Sequence, residues 1–169
     1  MVKGKTENSM TKKINRAFFL FLSIILLLLV SCNSNVVFTG SVAIKENKWQ
    51  LMETPVFRVT INDTLNSNNL FFTIRTGSDY PFRNIFLFVT ATSPDGKKLT
   101  DTLQYYLADD KGKWYGRGFG NINELKLPYK SNVFFPASGE YLFKIQHGMR
   151  TEELSGVYDI GLRIEKISK

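Results

Sequence analysis

The chain is 169 residues long, 43% hydrophobic and 14% aromatic, with one cysteine, one histidine and a formal net charge of +7. One cysteine excludes an intrachain disulfide framework, and one histidine excludes a zinc site built from several imidazoles. The basic balance does not mark a nucleic-acid binder, because five cations and one acid fall within residues 1–31, so that a net +3 remains beyond them and is interspersed with acids.

Lys12, Lys13 and Arg16 precede Ala17 to Val30, a run in which Ser23 is the sole polar residue. This is the charged n-region and apolar h-region of an export signal, and it is short of the roughly 20 apolar residues that span a bilayer. The sole cysteine stands at its end, in Leu29-Val30-Ser31-Cys32, which resembles a bacterial lipobox. Cleavage before Cys32 and transfer of a diacylglyceryl group to its sulfur would then anchor the mature chain, since two or more acyl chains hold a protein on a membrane almost permanently. The alternatives are an ordinary signal peptide cut near Ser31 or an uncleaved anchor helix. Met10 offers a second start that leaves a signal of conventional length. The reading divides the chain into a signal peptide at 1–31, a lipidated terminus, tether and first strand region at 32–50, and a folded domain at 51–169.

Phe57, Val59 and Ile61 alternate with Arg58 and Thr60, and Leu70, Phe72 and Ile74 alternate with Thr73 and Arg75; both predict half-buried strands. The run from Ile85 to Val89 is apolar on both faces, which suits a central strand covered on both sides. In "SPDGKK" Pro94 presets φ and Asp95-Gly96 suits the positive φ of a hairpin, whose second strand places Leu99, Leu103, Tyr105 and Leu107 on one face. "ADDKGK" turns the chain into "WYGRGFG", where glycine permits a bulge or a close strand approach. Pro128 argues against helix, "VFFP" reads as a short edge-like strand, and Tyr141, Phe143, Ile145 and His147 share a strand face. A short helical piece is expected around Glu152 to Leu154. The closing strand sets Tyr158, Ile160, Leu162 and Ile164 against Asp159, Arg163 and Glu165. Seven to nine strands at these spacings predict an all-β fold, an antiparallel β-sandwich.

Catalytic signals are thin. No G-x-S-x-G elbow accompanies His147, whose place among core aromatics favours a structural role. Asp109-Asp110 and Glu152-Glu153 are sequence neighbours that point apart, and Gly116-x-Gly118-x-Gly120 does not open a helix as a phosphate loop must. Trp49, Tyr105, Tyr106, Trp114 and Tyr115 remain as a possible protein-binding patch or sugar-stacking platform.

The ordered blocks "DYPFRNIFLFV", "DTLQYYLADDKGKWYGRGFGNI", "NVFFPASGEYLFKIQHGMR" and "GVYDIGLRIEK" together resemble the gliding-motility lipoprotein GldH family. The resemblance implies a cell-envelope lipoprotein that works with other lipoproteins of the gliding apparatus alongside type IX secretion, with no enzymatic activity and no cofactor. Cys32 alone carries over with a defined chemical role. Trp114, Tyr115, Arg117, Phe119, His147 and Arg150, within the "GKWYGRGFG" and "QHGMR" signatures, are the candidate partner-binding residues. The expected partners are the membrane, through covalent lipid, and other gliding-motility lipoproteins, with no nucleic acid, metal or small-molecule substrate. Asn33 follows the anchor where an aspartate would favour inner-membrane retention, and "CNSNV" lacks an acidic surface-export cluster, so the outer membrane facing the periplasm is the expected site. The competing classes are a carbohydrate-binding lipoprotein and an envelope hydrolase.

Overall fold

A computed structural model describes residues 35–167. In chain order they form β1 (Val36–Ala43), a 3-10 turn (Lys45–Asn47), β2 (Lys48–Gln50), β3 (Val56–Ile61), β4 (Asn68–Gly77), β5 (Asn84–Thr92) and β6 (Lys98–Tyr106). β7 (Arg117–Phe119), β8 (Ile122–Val133), β9 (Gly139–His147), β10 (Glu153–Ser155) and β11 (Val157–Lys166) follow. One sheet runs β1-β11-β4-β8-β7, the other β3-β9-β5-β6, and β10 pairs with β2 as a small third ladder. Every registered pairing is antiparallel, and the two large sheets enclose one core, an all-β sandwich as the alternating sequence pattern predicts. The lipobox, Leu29, Val30, Ser31 and Cys32, lies outside the described residues.

The two-residue period decides which side chains meet. Phe57, Val59 and Ile61 of β3, Leu70, Phe72 and Ile74 of β4, and Tyr141, Phe143 and Ile145 of β9 are all buried. In β11 a register irregularity between Val157 and Asp159 moves Val157 into the core and leaves Tyr158 half-buried, whereas Ile160, Leu162 and Ile164 keep their expected face.

Three local expectations change. β5 is central in its sheet, but only Ile85, Leu87 and Val89 are buried; Phe88 is 41% exposed because no layer covers the outer face. The expected helix near Glu152 is strand β10, drawn into the ladder by Leu154 opposite Trp49, both fully buried. "VFFP" is not a strand of its own: Val133 closes β8, the positive φ of 55° at Asn132 turns the chain, and Phe135 packs against Tyr141 with ring centroids 4.9 Å apart. β8 itself, twelve residues long, takes in Pro128 at a register shift opposite β4. The Tyr105 hydroxyl donates to the Pro128 carbonyl at 2.8 Å, from the side away from β4. N and O of one strand residue point the same way, so the N–H that proline lacks would also have faced away from the β4 ladder.

Candidate functional site

The segment between β6 and β8 crosses from one sheet to the other. Leu107 and Ala108 donate backbone N–H groups to the Arg83 carbonyl at 2.7 and 3.2 Å. The Asp109 carboxylate then accepts from the Lys111 and Lys113 amides at 2.8 Å each, closing a tight turn in which Gly112 has φ +78°. That turn returns Trp114 to a bridge with Ala108, and the Tyr115 amide donates to Leu107 at 2.9 Å. Gly116 then passes so close to β8 that a Cβ there would stand 2.2 Å from the Glu124 carbonyl oxygen. This is the close approach for which glycine is needed, and it lets β7 pair with residues 122–124.

This crossover builds the rim of a groove of about 1030 Å³, with Tyr105, Tyr106, Tyr115, Arg117, Lys126 and Pro128 among its lining. Tyr106 and Tyr115 are each 64% exposed, and Arg117 is exposed and makes no ion pair among the described residues. Next to its lining, polar bonds tie β8 to β6. Tyr129 donates to Asp101 at 2.7 Å and Lys130 pairs with the same carboxylate at 3.0 Å. Burial would raise the pKa of Asp101, but these two donors outweigh it and hold it below the usual carboxylate range. Burial, aided by the Asp101 charge, pushes the Tyr105 phenol up to about 12, so it stays a neutral donor across the physiological range.

On the outer face of the five-stranded sheet the cross-strand registers align Asp159, Arg75, Glu124 and Arg117 across β11, β4, β8 and β7. Charge alternates along this row. Arg75 is hydrogen-bonded to the nearly buried Asp159, which raises its pKa, and Arg117 is the exposed end. Beside it runs a second row, Ser41, Gly161, Thr73 and Lys126, whose small members floor a furrow.

The structure sorts the sequence-derived candidates. Tyr115 and Arg117 share the groove rim, and Phe119 pairs through its backbone with Ile122 in β7. Trp114 is half-buried, packed against the core and edge-on to buried Tyr80 at 6.0 Å, so most of it is scaffold. His147 is fully buried and its pKa is lowered by burial, with a backbone contact to Trp49 opposing; a docking partner cannot reach it, which corrects its place among the binding candidates. Trp49 is likewise fully buried and leaves the proposed aromatic platform. Arg150 is exposed but does not line the groove. Sequence reasoning passed over Glu124 and Lys126, although Leu125 and Leu127 alternate with them.

Among the described residues no helix is long and apolar enough to cross a membrane. The GldH lipoprotein family model matches residues 36–164. A gliding motility lipoprotein GldH homolog from Christiangramia forsetii is 37% identical over 158 residues, covering 89% of this chain and 96% of that protein. The gliding motility lipoprotein GldH of Flavobacterium johnsoniae is 35% identical over 147 residues, covering 83% and 91%. A carbohydrate-binding module of the β-sandwich superfamily covers 81% of this chain and 57% of that one at 11% identity and a TM-score of 0.29, too distant to argue from.

Proposed function

The chain belongs to the GldH lipoprotein family, and on that premise we propose that it is a non-catalytic, lipid-tethered interaction or assembly factor of the gliding-motility apparatus. In this reading Cys32 carries the lipid, the domain sits on the periplasmic face of the outer membrane, and it works alongside the type IX secretion machinery with other gliding lipoproteins. The observation that carries the interaction role is the rim itself. Exposed Tyr106 at the end of β6, and exposed Tyr115 and Arg117 on the crossover pinned to both sheets, stand together, with Arg117 unpaired among the described residues, and Tyr and Arg are the residue types that dominate protein contacts while losing little freedom on binding.

Cross-linking in intact envelopes tests it. Tyr115→Ala combined with Arg117→Ala removes rim contacts without opening the core, so loss of the wild-type cross-links from a folded domain supports the reading. Retention of all of them rejects the rim as the contact face.

A carbohydrate-binding reading has one observation in its favour. The furrow floored by Ser41, Gly161 and Thr73 is flanked by paired charges of both signs, which suits a neutral, hydroxyl-rich ligand. Binding on a glycan array that Arg163→Ala abolishes would establish it, and a blank array would remove it.

A further inference from the structure

We propose that β1 is a docking edge on which a second copy of this chain pairs, antiparallel and two-fold symmetric, extending the five-stranded sheet across the dimer. Three of the four outer edges of the large sheets carry the features that block strand addition. β3 holds Arg58, ion-paired to Glu140 at 3.1 Å; β6 carries Lys98 and Asp101; and at the far end of the five-stranded sheet β7 has only three residues, while β8 beyond it presents Lys126, Pro128 and Lys130. The fourth edge is long and lacks both charge and proline. Val36–Ala43, VVFTGSVA, is eight residues long without a charge or a proline, and its one irregularity is a register shift between Val36 and Phe38.

Its free side is identifiable from the hydrogen bonds. The Ile44 amide donates to the Tyr158 carbonyl at 2.9 Å, so by the two-residue alternation Val42 and Gly40 also address β11, while Ala43, Ser41 and Thr39 turn their N–H and C=O groups outward. Among the described residues no strand pairs with that side and no side chain bonds to it.

The occupant follows from symmetry. In a two-fold pairing each strand meets itself, so any charged residue would be brought close to its own like charge, and β1 is the long edge that has none. A register that matches outward groups to outward groups puts Thr39 opposite Ser41 of the second copy and Gly40 on the axis. It also lays Phe38, half-buried in one copy, beside Val42 of the other. The pairing does not depend on the lipid anchor, although a shared membrane would raise the local concentration of the two copies.

Native mass spectrometry of the full-length mature protein released from membranes in detergent tests this. The expected wild-type mass is two chains. Thr39→Lys with Ser41→Lys sets lysines directly opposed and is expected to shift dissociation at least about tenfold toward single chains, the scale of a like-charge clash of roughly 1.4 kcal/mol. Mixing it with Thr39→Glu, Ser41→Glu is expected to restore a mixed dimer. A single chain at every concentration, or a dimer indifferent to the lysines, overturns the proposal. Should the lysine variant fail to fold, a benzoylphenylalanine photo-cross-linker at position 39 decides: coupling to peptide 36–43 of a second copy supports the pairing, and coupling only to a different protein, or none, rejects it.

Discussion

Trp49 and His147 meet edge to face, ring centroids 5.4 Å apart at 68°, and this contact ties the small β2-β10 ladder to the end of β9. The Trp49 indole N–H donates to the Glu53 carbonyl at 3.0 Å, whereas neither imidazole nitrogen has a hydrogen bond of good geometry. The ring is held as an apolar, neutral body. Burial lowers its pKa from 6.5, so below pH 6.5 the unfolded chain takes up a proton that the folded chain refuses. Stability is expected to be full above pH 6.5 and to decline as pH falls toward the folded pKa. The carboxylates lowered by Lys and Arg partners, among them Asp95, shifted to about 2, lose their contribution only as pH drops below their unfolded values, 3.8 for Asp and 4.5 for Glu. Urea titrations of wild type and His147→Phe between pH 7 and 5 check it: the variant should lose the slope in that window.

Asp159 is nearly buried in β11 and its partner Arg75 is half exposed. Asp159→Ala leaves Arg75 free to turn to water, so the loss is that of a charged hydrogen bond, about 2 kcal/mol, rather than that of a stranded buried cation. Chemical denaturation of the variant measures it, and the outward row through Glu124 and Arg117 should lose its order in the same experiment followed by NMR.

Gly116→Ala would force a Cβ against the Glu124 carbonyl, where backbone must move. Overpacking of this kind costs about 1–3 kcal/mol, and here it should appear first as detachment of β7. Faster hydrogen exchange at the amides of residues 117–119, with core strands β4 and β11 still protected, is the expected pattern.

Trp114→Ala and Tyr115→Ala separate scaffold from surface. Trp114 packs on Tyr80 and the core, so its loss is expected to cost about 2–3 kcal/mol, short of a fully buried aromatic. Tyr115 is exposed, and its loss should fall within about 0.5 kcal/mol. Paired thermal melts read the difference directly.

The sandwich was legible because period two is a local signal: β3, β4 and β9 bury the faces their alternation marks, and β11 does so from Ile160 onward. β8 was obscured by Pro128, whose tolerance depends on lying where its missing N–H faces away from the ladder, a fact of sheet order rather than of local sequence. The β10 segment looks helical locally, whereas Leu154 is recruited by Trp49 across a separation of more than a hundred residues, which propensity does not see. The rim was half legible. "WYGRGFG" singled out Tyr115 and Arg117, yet Trp114 and Tyr115 are neighbours that face opposite ways, and only burial shows which faces out. The alternating row from Asp159 to Arg117 joins four strands and exists only in the register.

In the proposed function Cys32 holds the domain at a membrane. Intact-mass and N-terminal peptide spectrometry of the mature protein taken from envelope fractions tests that most directly. The expected species begins at Cys32 and carries a thioether-linked diacylglyceryl group. A chain that retains residues 1–31, or one with an unmodified thiol in the soluble fraction, would contradict it.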